Sequence, residues 1–191
     1  MNDPIEINWP EGLELHHIDN PQALEEWTPS LTKLLKSCVN DDPPSSSIGF
    51  HAPLSTSDAT EFWLSLSSQL SGPKSRISLF VLARGLSAIG TVHLVSNPKA
   101  THAHKAEVAK LLVSAEERGL GLGRKLMEFT ERFCKEQLGR SMLLLDTATE
   151  TPARGFYLKL GYTEWGLCPN YAESADGRLH DCSFFHKILD G

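Results

Sequence analysis

The segment Arg118-Gly119-Leu120-Gly121-Leu122-Gly123-Arg124 constrains this chain more than any other. Before it lies an apolar run, Val108 to Val113, that reads as a strand. After it, apolar residues recur at Leu122, Leu126, Phe129 and Phe133, with Met127 and Leu138 alongside, which is helical spacing. Three glycines in a strand-to-helix turn let backbone amides come close to a ligand. The start of the helix adds unpaired N–H donors at the positive end of its dipole. The result is a seat for phosphate, flanked by Arg118 and Arg124. A plain tight or flexible turn would use the same residues, so the segment alone leaves both readings open.

The spacing narrows the ligand. A P-loop requires Gly-Lys-Ser/Thr after its four-residue gap, which is absent. The dinucleotide pattern G-x-G-x-x-G fits neither from Gly119 nor from Gly121, and no strand–turn–helix unit opens the chain. The pattern that fits is Arg-x-x-Gly-x-Gly, from Arg118 through Gly121 to Gly123.

A second segment follows after one helix and one strand, Met142 to Leu145: Thr151-Pro-Ala-Arg-Gly-Phe-Tyr-Leu-Lys-Leu-Gly-Tyr162. It reads as a short helix with clear ends. Thr151 can cap it, Pro152 suits its first position, and Gly161 suits a left-handed stop. Ala153, Phe156, Tyr157 and Leu160 share one face, so by itself Tyr157 is equally a core aromatic.

Together and in this order, the two segments resemble the pyrophosphate loop and the A-x-x-x-Y-x-K-L-G-F/Y helix of the GNAT N-acetyltransferase superfamily. From Ala106 onward the chain is similar to its tabtoxin-resistance branch, which acetylates small molecules. That likeness rests on Ala106-Glu107-Val108, the glycine loop, Leu145-Asp146-Thr147, Phe156-Tyr157, Pro169, Tyr171 and Asp176-Gly177-Arg178-Leu179-His180. It implies an α/β fold, a mixed central sheet with a splayed parallel strand pair holding acetyl-CoA. One position departs from the pattern: the asparagine often found seven residues before the tyrosine is Glu150 here.

The resemblance also implies roles. Leu111, Leu112 and Val113 would offer main-chain groups to the pantetheine. Arg118, Gly119, Leu120, Gly121, Leu122, Gly123, Arg124 and Lys125 would take the pyrophosphate. Glu107, on the strand before the loop, would be the general base. Asp146 is either a turn residue or a partner of the acceptor amine, and the resemblance favours the second. Tyr157 would protonate the leaving thiolate, a task open to a phenol of pKa ~10 facing a thiol of ~8.5.

The tail reads as a last hairpin turning at Asp176-Gly177. Its Tyr171, Arg178 and His180 either serve that turn or line the acceptor cleft, where an arginine could grip a carboxylate with both arms.

Elsewhere, Leu13 to Ile18 alternates as a strand, and Gln22–Cys38 and Asp58–Leu70 read as helices, the second opened by Ser55 to Asp58. Asn40 to Ser47 is rich in turn formers and reads either as a mobile surface loop or, as the resemblance implies, as a segment bordering the acceptor pocket. Ile77–Ala83 and Ala88–Val95 form a hairpin about Arg84-Gly85. His102 and His104 fall in a turn without ligand partners at metal spacing, so no metal is expected.

At 191 residues and 40% apolar the chain suits one N-acetyltransferase domain. A net charge of −6 argues against nucleic acid as a partner. Cys38, Cys134, Cys168 and Cys182 show no C-x-x-C pairing, which disfavours zinc and a disulfide framework and suits the cytoplasm. No apolar run approaches about 18 residues, and no signal sequence opens the chain, so no membrane partner is expected. No heptad or exposed stripe specifies an oligomer.

The expectation is therefore an acetyl-CoA-dependent N-acetyltransferase acting on a small primary amine, amino-acid-like or amino-sugar. The alternatives are a protein N-terminal or lysine acetyltransferase, and an acyl-CoA-binding regulatory module with little turnover.

Overall fold

The computed structural model describes residues 5–41, 49–72, 75–175 and 177–189. In chain order the elements are β1 (Glu14–Ile18), α1 (Pro21–Asn40), α2 (Thr56–Ser65), β2 (Ile77–Arg84), β3 (Ser87–Ser96), β4 (Lys105–Val113), α3 (Leu122–Arg132), β5 (Met142–Ala148), α4 (Pro152–Lys159), β6 (Thr163–Glu173) and β7 (Leu179–Ile188). The strands form one seven-stranded sheet in the order β1-β2-β3-β4-β5-β7-β6. All neighbours are antiparallel except β4 and β5.

The apolar run of β2 shows why helices cover both faces. Phe80 and Leu82 enter one core with Leu126 and Met127 of α3, Tyr157 of α4 and Phe185 of β7. The alternate residues Ile77, Leu79 and Val81 enter a second core with Leu31 and Leu35 of α1 and Trp63 of α2. A strand apolar at successive positions is one buried on both sides. No described helix is long and apolar enough to cross a membrane.

Several local expectations shift. α1 continues through Pro29, because eight of its residues, Leu24 to Val39, are buried and outweigh one missing hydrogen bond. α2 ends at Ser65 and passes into a 3-10 turn, Ser67–Gln69. The β2–β3 turn is Gly85-Leu86, since Arg84 still pairs with Ser87. Asp146 does not end its strand; β5 continues to Ala148. Thr151 occupies the N-cap position of α4 but does not cap it: its hydroxyl donates to the Ala148 carbonyl at 2.8 Å. Gly161 adopts φ +83°, as a left-handed stop requires.

In the Asn40–Ser47 loop, residues 42–48 lie outside the described ones, as does Asp176 of the expected hairpin turn. Asn40 itself ends α1, and its amide both donates to the Leu54 carbonyl (3.1 Å) and accepts from the Leu54 N–H (2.7 Å). This clamp brings residues 49–55 back over the sheet.

Candidate active site

The parallel pair opens at the sheet's centre. β4 and β5 are paired only from Lys105 to Glu107 against Met142 to Leu144, although β4 runs on to Val113 and β5 to Ala148. β4 is also irregular beyond that point. Its register against β3 shifts between Thr91 and His93, and Lys110 takes the left-handed φ of 49°. The strands thus diverge into a cleft with a helix layer on each side.

On the α3–α4 side lies a cavity of about 490 Å³. Leu111, Leu112, Val113, Arg118, Gly119, Gly121, Leu122, Gly123, Arg124 and Tyr157 line it, joined by Cys38, Phe156 and others. Gly121 is the N-cap of α3 at φ 75°, and no side chain caps that helix. A Cβ on Gly119 or Gly121 would meet nothing within 4 Å, so the space before the helix start is open. An uncapped 11-residue helix facing an open cavity fits a pyrophosphate.

Arg118 folds back so that its Nε donates to the Val113 carbonyl at 3.2 Å, tying the loop to the end of β4. Leu120 is exposed and does not line the cavity. Neither does Lys125, whose ammonium donates to the Asn8 carbonyl at 2.6 Å and so braces the N-terminal segment. Glu150, exposed in the β5–α4 turn, is also not among the lining residues.

Tyr157 is buried beneath the cavity, its ring 5.2 Å from Phe156 and 5.9 Å from Phe185. Burial, then the Asp146 charge, pushes its phenol well above 10, so it is protonated at neutral pH. Arg154 anchors α4 to β6 through a two-armed contact with Glu164, at 3.1 and 2.7 Å to the same oxygen.

The opposite face of the cleft carries the acids. Glu107 lies opposite Leu144 in the parallel ladder, and Asp146, two residues on, shares Leu144's face. Desolvation and then the Asp146 charge raise the Glu107 carboxyl, with Lys105 and Lys110 opposing. The Cys182 thiol donates to Asp146 Oδ2 at 3.4 Å.

Tyr171 stacks edge-on against Phe184 at 5.1 Å, and its phenol is raised by desolvation and by the nearby Asp146 charge. His180, on β7 in alternation with Cys182 and Phe184, lies further along this face, its Nδ1 3.0 Å from the Asp181 carbonyl. Arg178 precedes β7 at the hairpin tip, where its carbonyl accepts from the Ser174 N–H and hydroxyl. The structure therefore gathers Glu107, Asp146 and Tyr171, extends toward His180, and leaves Arg178 at the rim.

Three features were not foreseen. Lys110 projects between Phe50 and Phe62, 5.1 and 5.6 Å from their ring centroids. Desolvation lowers its pKa, while Asp146 and Glu107 oppose that. His93 is buried on β3, with its pKa lowered to about 3 by burial and then by Lys110, so it stays neutral. The third is a tie between the segment before α2 and the β6–β7 turn: the Ala52 N–H donates to the Ala175 carbonyl (2.8 Å) and His51 approaches Glu173 (2.8 Å). A bulged strand offers no alternation to read, so nothing in the pattern around Lys110 signals which face it takes.

Comparison with known proteins agrees with this geometry. A family model described as the acetyltransferase (GNAT) family matches residues 9–162. Among solved structures, the ribosomal-protein-S5-alanine acetyltransferase of Vibrio fischeri superimposes with a TM-score of 0.75 at 15% identity, covering 98% of each chain. An N-acetyltransferase from Staphylococcus aureus Mu50 gives 0.67 at 15% identity, covering 93% of this chain and 99% of that one. A protein provisionally named a phosphinothricin N-acetyltransferase gives 0.70 at 20%, covering 94% and 99%.

Proposed function

The chain belongs to the GNAT acetyltransferase family, and on that basis we propose that it transfers the acetyl group of acetyl-CoA to the primary amine of a small, amino-acid-like acceptor. One observation carries the choice of acceptor: Glu107, Asp146 and Lys110 lie within electrostatic reach of one another beside the point where β4 and β5 part. Two carboxylates suit an ammonium, and a lysine beside them suits a carboxylate on the same small molecule. A second cation, as on a polyamine, would meet Lys110 at a cost. The reading treats residues 1–191 as one catalytic domain working in the cytoplasm.

Acetyl-CoA supplies the activated carbonyl and a thiolate leaving group. The amides at Gly119, Gly121 and Gly123, through Arg124, hold the pyrophosphate, and Arg118 adds charge. The edge of β4 left unpaired by β5 at Leu111, Leu112 and Val113 would hold the pantetheine, where one main-chain N–H could polarise the carbonyl. Asp146 orients the acceptor ammonium. Glu107, whose raised pKa brings it closer to neutrality, takes its proton. Tyr157, kept protonated, delivers a proton to the departing sulfur. Holding both reactants in line supplies much of the rate.

The test is free-thiol release from acetyl-CoA over a panel of amino acids, amino sugars, polyamines and short peptides. Turnover concentrated on amino-acid-like amines is expected. Turnover on peptides alone would shift the reading to a protein acetyltransferase. Binding of acetyl-CoA without thiol release for any acceptor would shift it to a regulatory module.

A further inference from the structure

Cys168 and Cys182, fourteen positions apart in sequence, stand directly opposite each other in the β6–β7 ladder. Opposed residues of an antiparallel pair share a face and have Cα atoms about 4.5–5.5 Å apart, inside the ~4.4–6.8 Å that a disulfide bridges. Their surroundings differ. Cys168 is exposed, whereas Cys182 is buried with its thiol on Asp146 Oδ2 at 3.4 Å. Both are free thiols, and neither Cys38 nor Cys134 lies in a strand of the ladder.

β6 can absorb the small inward shift that closure requires. It is the edge strand, its register slips between Glu164 and Gly166 and again between Cys168 and Ala172, and Asn170 already adopts φ 51°.

We propose that Cys168 and Cys182 form a reversible disulfide that withdraws the Cys182 thiol from Asp146 and thereby weakens the enzyme's hold on its acceptor amine. The effect on the acceptor rests on the role given to Asp146 above; formation of the bond does not.

The chemistry balances with a low-molecular-weight disulfide such as oxidised glutathione. The exposed Cys168 thiolate attacks one sulfur of the reagent, whose S–S bond breaks and releases one thiol. Burial and the Asp146 charge push Cys182 up to about 12, so it remains a thiol and the first attack falls to Cys168. The Cys182 sulfur then attacks Sγ of Cys168, and its proton goes to the departing reagent thiolate. The second reagent thiol leaves. Two protein thiols are oxidised and one reagent disulfide is reduced to two thiols. Excess reduced glutathione reverses both steps.

With the bond closed, Asp146 loses the hydrogen-bond donor that holds its carboxylate in place. The adenine-nucleotide side of the cleft, on α3, is untouched.

The folded protein is equilibrated in glutathione buffers of graded ratio, its thiols are trapped, and intact mass and peptide maps are read. Expected is loss of the mass of two hydrogens as a single Cys168–Cys182 bond, reversed by dithiothreitol and abolished by Cys168→Ser, an exposed position where folding is not at stake. In parallel, the acceptor KM rises about tenfold on oxidation, the scale of one hydrogen bond to a charged group. Acetyl-CoA affinity stays constant, and Cys168→Ser is insensitive.

A stable glutathione adduct on Cys168 beside a reduced Cys182, or a bond that forms only in denaturant, overturns the pairing. A bond that forms without changing the acceptor KM overturns its regulatory effect. If no acceptor is turned over in either redox state, the proposed function fails, while the mass measurement still decides the pair.

Discussion

Replacing glycine by alanine at two positions two residues apart in the phosphate loop should have opposite consequences. Gly121 is the N-cap of α3 with φ 75°, and a Cβ there would touch nothing within 4 Å. Crowding therefore plays no part in Gly121→Ala; the cost is conformational, about 1–2 kcal/mol for an L-residue in the left-handed region. Gly123 lies inside α3, and its Cβ would meet the Phe156 ring at 3.5 Å and Val113 Cγ2 at 3.9 Å, both ordinary contacts. Gly123→Ala should gain up to about 1 kcal/mol from helix propensity. The two variants should thus differ by about 1–3 kcal/mol in unfolding free energy without ligand.

Affinity should separate with stability. Relaxing the turn at Gly121 moves the amides that face the pyrophosphate. Losing one such hydrogen bond to a charged group, about 1.5–3 kcal/mol, weakens acetyl-CoA binding at least tenfold, whereas Gly123→Ala should stay within a few-fold of wild type. Denaturant unfolding and calorimetric titration with acetyl-CoA read both quantities. Equal stabilities, or a Gly121→Ala protein that binds acetyl-CoA as tightly as wild type, would refute the reasoning.

Tyr157→Phe preserves the ring contacts with Phe156 and Phe185, so acetyl-CoA affinity should hold while kcat falls about 10²-fold or more, as loss of a general acid implies. Glu107 must be ionised to act, and its pKa is raised; activity should fall as pH drops through that pKa, and Glu107→Gln should abolish this acid limb and cost ~10²-fold in kcat/KM. His93 has a folded pKa near 3 against about 6.5 unfolded. The unfolded chain therefore binds more protons between those values, and stability declines as pH falls below about 6.5. At about pH 5 the loss is ~2 kcal/mol, measurable by denaturant midpoint and absent in His93→Met. Lys110→Met should raise KM for amino-acid acceptors and reduce discrimination against polyamines, measured by thiol release.

The elements built from local preference were legible. The run Val108–Val113, the helix from Leu122 and the Pro152–Gly161 segment follow from periodicity, from proline's fixed φ and from glycine's freedom at positive φ, all properties of a few consecutive residues. The Arg118–Gly123 pattern conveyed the open, uncapped helix start for the same reason: it is the backbone of one turn. The N-cap expected of Thr151 failed because a local competitor, the Ala148 carbonyl three residues back, captured its hydroxyl. α1 ran past Pro29 because burial of its stripe outweighed propensity.

What faces what belonged to the tertiary structure. Lys125 carries charge beside the loop in sequence, yet is bound to Asn8 in space. Lys110 reached the side of Glu107 and Asp146 through a bulge that breaks alternation. Cys182 met Asp146 and Cys168 only once β7 had settled between β5 and β6. Turn and helix chemistry is set within a few residues, so the sequence alone determined the glycine-rich turn and the uncapped start of α3. The acceptor's surroundings depend on strand register, which is decided by the packing of both cores at once and is written at no single position.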